Sequence, residues 1–180
     1  MACITKLANA IAYDCDSGAT GLVSALIINR ADIVSFTMDS VGSTVMTITL
    51  AAGAKAYKVD TVKRSLVVTS TLKVNDGAPN AFTHTATLTD MTKTSSGIGT
   101  NISKAISNGS FVILYRPVGG TAAAAAGLYY GLSATSAERS SHDNGGWVTY
   151  TLETPENVIG EDNLSVLGSC YDTLYAAAVG

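Results

Sequence analysis

Apolar and polar side chains alternate along much of this chain. From Ala81 to Asp90 threonine occupies positions 83, 85, 87 and 89, with Phe82, His84, Ala86 and Leu88 between them. A period of two predicts a strand with one dry face and one hydroxyl face. Ile98, Ile102, Ala105 and Ile106 then recur at intervals of four, three and one, which predicts a short helix over 98–108 ended by Asn108-Gly109. Phe111 to Tyr115 is an unbroken apolar run closed by Arg116-Pro117, as expected of a strand covered on both faces.

The same alternation predicts strands on either side of this unit. Gly21–Ile28 and Ile33–Met38, joined by Asn29-Arg30-Ala31-Asp32, read as a first hairpin. Thr44 to Leu50 places Met46, Ile48 and Leu50 on one face, and Lys55 to Thr61 places Tyr57 and Val59 inward. Arg64 to Val74 puts Leu66, Val68, Leu72 and Val74 together, before the turn cluster Asn75 to Asn80. Ala122 to Ala126 is too short a run to hold a helix unaided, and Leu128 to Leu132 reads as extended. Trp147 to Thr154 is a strand stopped by Pro155, and Cys170 to Ala178 reads as a last strand or an arm leaving the domain. The expectation is a mainly β, antiparallel sandwich or barrel of eight or nine strands with one short flanking helix and extended terminal arms. Its divisions are an amino-terminal arm over 1–20, the β domain over 21–168 and a carboxy-terminal strand or arm over 169–180.

Composition narrows the function. In 180 residues, 47% are hydrophobic and only 14% charged, enough for one domain with a real core and a surface suited to burial against other subunits. A net charge of −3 with scattered basic residues, loosely grouped only at Lys55, Lys58, Lys63 and Arg64, argues against gripping nucleic acid. No stretch has the ~18 uninterrupted apolar residues of a membrane helix. Ala8-Asn9-Ala10 imitates a signal cleavage site, but Lys6 interrupts the few residues before it, so the amino terminus is read as retained. Cys3, Cys15 and Cys170 have no zinc spacing and read as reduced thiols, with Cys3 and Cys15 able to close a loop as the alternative.

Candidate chemistry is sparse, and neither catalytic nor metal or cofactor residues are assigned. Ser141-His142-Asp143 has the residue types of a hydrolytic triad, yet consecutive side chains diverge, and a solvated turn is the better reading. His84 lies on the apolar face of its strand and reads as a core or interface histidine. Glu153, Glu156, Glu161 and Asp162 with Asn157 and Asn163 offer oxygen ligands for calcium but match no EF-hand spacing. Gly97-Ile98-Gly99 lacks the lysine and the third glycine of phosphate-binding turns. The face of Thr83, Thr85, Thr87 and Thr89 either meets water or lines a shared channel, where uncharged hydroxyls would let a polyanion slide past.

Phe82-Thr83-His84-Thr85 ahead of a helix, the run Gly145 to Glu156, and Cys170-Tyr171-Asp172-Thr173-Leu174-Tyr175 resemble virion structural proteins of phages and prophages of Bacteroides-type hosts, the major tail tube protein among them. The resemblance implies a β-barrel or sandwich with a flanking helix, and no enzymatic activity. Six copies would form a ring by sheet continuation, and rings would stack into a tube conducting DNA within a virion assembled in the host cytoplasm. Its partners would be itself and other tail proteins, with Ile4, Leu7 and Ile11 and Leu174 and Tyr175 as arms between subunits, and Asp60, Asp90, Glu153 or Glu161 as channel carboxylates. A capsid decoration or head-fibre protein is the rival within the structural class. A carbohydrate-binding module with Trp147, Tyr129 and Tyr130 as platform is the rival outside it.

Overall fold

The computed structural model describes residues 21–61, 65–90, 97–139 and 147–180. Its centre is the pair of strands β1 (Leu22–Asn29) and β7 (Ser110–Pro117), antiparallel with Ile27 opposite Ile113. Alternate residues of this pair enter different cores. Leu26, Ile28, Val112 and Leu114 face one, while Ala25, Phe111 and Ile113 face the other. That is why Phe111 to Tyr115 shows no polar positions: neither face of the strand meets water.

Around the pair runs one large open sheet. Its order is β2 (Ile33–Met38), β3 (Thr44–Leu50), β11 (Leu164–Val166), β8 (Ala123–Ala126), β7, β9 (Leu132–Arg139), β10 (Val148–Glu153), β6 (Ala81–Asp90) and β5 (Leu66–Lys73), with β4 (Tyr57–Val59) joined through β1. The sheet is mixed, because β11 runs parallel to β3 while the other described pairs are antiparallel. The first core lies between β1-β7 and β2, β3, β11 and the carboxy-terminal helix. The second lies between β1-β7 and β6, β10 and the helix α1 (Gly97–Asn108). Ile102 and Ile106 of α1 enter this core, and the Tyr150 hydroxyl, at the end of a fully buried ring, meets Ser103 of the helix. The mainly β, sandwich-like architecture matches the alternation in the sequence.

Five local expectations are corrected. First, β1 and β2 do not form a hairpin: a 3-10 turn over Arg30–Asp32 carries the chain out of the β1-β7 pair into the β2-β3 hairpin. Second, a bulge opposite Thr37/Met38 leaves Met46 without a cross-strand partner and flips the alternation, so Val45 is buried and Met46 is exposed. Third, Leu128 to Tyr130 is a turn between Gly127 and Gly131, and the alanines before it form β8, whose small side chains suit a strand packed between β7 and β11. Fourth, Tyr57 is exposed, although Val59 two positions on packs against the second core as expected and Ala56 enters the first.

Fifth, the carboxy-terminal segment is a helix, α2 (Gly168–Ala177), rather than a strand or an arm. Tyr171, Leu174, Tyr175 and Ala178 recur at three, four and seven positions and pack on the first core, so Leu174 and Tyr175 are satisfied by their own chain. Tyr171 stacks on Tyr175 at 5.9 Å, and Val179 then hydrogen-bonds along β4 through Lys58 and Ala56. The amino-terminal arm, with Ile4, Leu7 and Ile11 and the cysteines Cys3 and Cys15, lies outside the described residues, as does Ser141-His142-Asp143.

Candidate functional site

The threonine strand sits inside a four-stranded segment, β9-β10-β6-β5. Thr83 pairs with Thr71, Thr85 with Thr69 and Glu153, Thr87 with Val67 and Thr151, and Thr89 with Thr149. On β9, Ser136 lies opposite Thr151 and Glu138 opposite Thr149. Because strand side chains alternate between faces, all these residues share one side of the sheet. The result is a hydroxyl wall whose charged members are Glu138, Glu153 and Lys73. Its threonines bond one another and the backbone: Thr69 Oγ1 donates to the Thr85 carbonyl at 3.3 Å, and Thr89 meets Thr149 at 3.4 Å. These bonds satisfy the hydroxyls without charge, and the four predicted threonines are brought together.

The opposite face of the same four strands is dry. Ala86, Leu88, Val148, Tyr150 and Leu152 all lie in the second core beneath α1. Asp90 belongs to this alternate register, Asp60 lies in the loop after β4, and of the four carboxylates considered for a channel only Glu153 stands on the hydroxyl face.

The two edges of this segment differ among the described residues. Among the described residues the outer edge of β5 pairs with no strand, while β9 is hydrogen-bonded to β7 at Leu132 and Ser133 and lies against α1. Apolar side chains sit exposed at the β5 edge and beside it: Leu72 at 54%, Val74 at 72% and Ile159 at 52%. The Val158 and Ile159 carbonyls are held there by Lys73 and Asn75, so these residues belong to one surface. Unpaired edges bordered by apolar residues are templates for pairing with another chain.

A polar cluster lies beside this edge that the sequence did not disclose. His84, 1% exposed, shares a 2.8 Å hydrogen bond between its Nδ1 and the Ser70 hydroxyl of β5, and its Nε2 lies 3.3 Å from Glu161 Oε1. The Nε2–Oε1 contact is close enough for an ion pair but not aligned as a hydrogen bond. Thr154 fixes the histidine backbone, accepting from the His84 N–H at 2.8 Å. Glu161 is itself buried, and its carboxylate accepts from the backbone N–H groups of Gly127, Leu128 at 3.1 Å and Tyr129 at 2.8 Å. Burial lowers the His84 pKa below its ordinary value, while Glu161 and the Asp162 backbone oppose that shift.

Serine, histidine and carboxylate stand here in the order of a hydrolytic relay, but the arrangement is built as a clasp. The carboxylate's acceptors are taken up by the N–H groups of the β8–β9 turn, and Ser70 lies on an exposed part of β5. The expected histidine of the core is thus found, and the acidic loop residue Glu161 is corrected to a buried one. No cluster of three or more metal-ligating side chains occurs among the described residues. Trp147 precedes β10 at its Arg139 end, about 20 Å along the strand from the Leu132 end near Tyr130, and Tyr129 packs edge-on against Phe36. The three aromatics therefore do not share a platform. No helix among the described residues is long and apolar enough to cross a membrane.

Compared with protein-family models, with curated proteins and with solved structures, the chain matches none.

Proposed function

We propose that this chain is a self-assembling structural subunit of a phage tail tube, forming rings by sheet continuation. The observation that carries the reading is the four-stranded segment with one hydroxyl face, an outer β5 edge without a strand partner among the described residues, and a β9 edge paired with β7 only at its Leu132 end. Its neighbours are all antiparallel, so β9 and β5 run in opposite directions. A rotation axis along the strands keeps each copy's β9 in the same sense, and β9 of the next copy therefore meets β5 antiparallel. An even number of strands lets this alternation close around a ring, and closure removes both edges.

The dry face carries α1 and the rest of the domain, which is too bulky for the inside of such a ring. The hydroxyl face then looks inward. Six copies would give a wall of about twenty-four strands, roughly 115 Å around at ~4.8 Å per strand before tilt widens it. Side chains would narrow that to a lumen of about 25 Å. A wall of threonine hydroxyls with few charges offers a polyanion little to hold, which suits passage of DNA rather than its capture.

The test is to place charge on the edge. Leu72→Lys with Val74→Lys replaces two exposed side chains, so folding stability should stay within ~0.5 kcal/mol of the parent. Rings or tubes of the parent seen by electron microscopy at high concentration should be absent from the double variant. A parent that sediments as a single subunit at near-millimolar concentration overturns the reading, and closed trimers would move it to a capsid decoration protein.

A further inference from the structure

The clasp between β5 and the β8–β9 turn leaves one of its hydroxyls within reach of solvent. Ser70 is exposed, yet its Oγ lies 2.8 Å from Nδ1 of the buried His84. On the far side of that ring the buried Glu161 stands 3.3 Å from Nε2. A reachable hydroxyl, an enclosed imidazole and an enclosed carboxylate, in that order, allow the imidazole to take a proton from the serine. The Nε2–Oε1 contact is not aligned as a hydrogen bond, and such contacts tighten when a substrate is bound.

The backbone supplies a further group. His84 turns its own main chain away from β5: its N–H donates to Thr154 Oγ1 at 2.8 Å, and its carbonyl accepts from the Thr154 N–H at 3.0 Å. Phe82 does the same with the Glu161 main chain, at 2.8 and 2.9 Å. Ser70 and Leu72 stand directly opposite these two residues, so by the alternation of an antiparallel ladder their N–H and carbonyl groups point to the outer edge of β5. That edge has no strand partner among the described residues. Ser70 therefore presents its hydroxyl on one face and its amide N–H at the adjoining edge, and a nucleophile's own N–H can serve as an oxyanion donor.

Val68 and Leu72 flank Ser70 on its face of the strand, and Phe82 lies opposite Leu72. Leu72 is exposed, and Val68 and Phe82 are half-buried. An apolar surface beside the hydroxyl fits the acyl group of an uncharged ester.

We propose that Ser70 is a nucleophile toward esters of apolar acids, with His84 as its base and Glu161 as the residue that positions the ring. As Oγ bonds to the ester carbonyl carbon, its proton passes to Nδ1 and the carbonyl electron pair moves onto oxygen, toward the Ser70 N–H. The carbonyl re-forms, the alcohol leaves with the proton from His84, and the acyl group stays on Ser70. Water entering by the same route releases the acid and restores the serine. The tautomer this requires carries its proton on Nε2, facing Glu161. Burial lowers the ring's pKa below its ordinary value, against Glu161 and the Asp162 backbone, so the base is uncharged at neutral pH. Glu153 of β10 and Lys73 of β5 stand on the opposite, hydroxyl face, and the Tyr129 N–H of the turn is engaged by Glu161, so among the described residues Glu161 is the charged side chain that faces the ring.

The test uses the full chain diluted to single subunits, so its outcome does not depend on ring formation. A fluorophosphonate probe loses fluoride as it bonds to an activated serine, and peptide mapping compares Ser70 with Ser35, an exposed serine of β2. Ser70 should label about a hundredfold faster, within the ~10²–10⁴-fold effect of general base catalysis, and His84→Gln should bring it down to the Ser35 rate. Glu161→Gln removes the charge that raises the His84 pKa, so the pH of half-maximal labelling should fall, which a merely structural loss would not cause. Equal rates at Ser70 and Ser35 in the native parent overturn the proposal, as does a Ser70 rate unchanged in folded His84→Gln. With p-nitrophenyl butyrate as the ester, nitrophenolate release that Ser70→Ala leaves unchanged overturns it too. In rings, where β9 of a neighbour would cover the β5 edge, labelling should be suppressed, and full labelling there counts against the ring reading while the nucleophile stands.

Discussion

His84 and Glu161 show how far a single position can be read from sequence. His84 falls among Ala86 and Leu88 on the apolar register of its strand, so its burial follows from the alternation alone. Glu161 could not be found that way, because its partners are backbone N–H groups more than thirty residues distant, presented by a turn. No spacing rule connects a carboxylate to a nest of main-chain donors. The pair has a consequence for stability against pH. Burial keeps folded His84 neutral, with Glu161 and the Asp162 backbone opposing, whereas the unfolded chain protonates it below about 6.5. The unfolded state therefore binds more protons in the window from about 6.5 down to the lowered folded value, and stability is lost as pH falls through it. The expected slope in urea unfolding is up to about 1.4 kcal/mol per pH unit there, and His84→Gln should flatten it by one proton's worth. An unchanged slope in that variant would show that another group is responsible.

At the scale of elements, those with a strict period were legible and those placed by long-range pairing were not. The threonine strand, α1 and the covered β7 follow from periods of two and 3.6 and from an unbroken apolar run. The helix α2 carries helical spacing too, in Tyr171, Leu174, Tyr175 and Ala178, which the expectation of a strand or arm over Cys170–Ala178 did not use. The bulge at Met46 and the separation of β1 from β2 depend on which strands pair across the molecule, which local pattern does not encode. The β8–β9 turn is the junction where these levels meet. Gly127 holds φ at +78°, and a Cβ there would lie 2.7 Å from Leu132 Cγ and 3.0 Å from the Phe111 carbonyl oxygen. The left-handed backbone and the clash act together, and the same turn carries the N–H groups that bind Glu161. Gly127→Ala should cost about 3 kcal/mol, summing the ~1–2 kcal/mol of a left-handed alanine with the ~1–3 kcal/mol of an overpacked core. Thermal and urea unfolding measure it, and a loss under 1 kcal/mol would mean the turn relaxes freely.

At the scale of the whole molecule, a chain with two satisfied cores still leaves one four-stranded segment unfinished. The helix α2 packs on the first core of its own chain, so the assembly reading rests on the β5 edge and the hydroxyl face rather than on Leu174 and Tyr175. The orientation of the hydroxyl wall then becomes the decisive geometric question, since α1 covers one face of the segment and the threonines occupy the other. Thr85 sits at the middle of that wall, half-buried between Thr69 and Glu153. Thr85→Cys keeps the side-chain size and adds a reactive group, so ring formation should survive. A small maleimide should label the variant equally well as free subunit and in tubes. A maleimide carried on a folded protein should label the free subunit but be slowed at least tenfold in tubes, with residual reaction from their open ends. Equal access of the large reagent to both states would put the threonine face on the outside, and a polyanion would then have no uncharged wall to pass along.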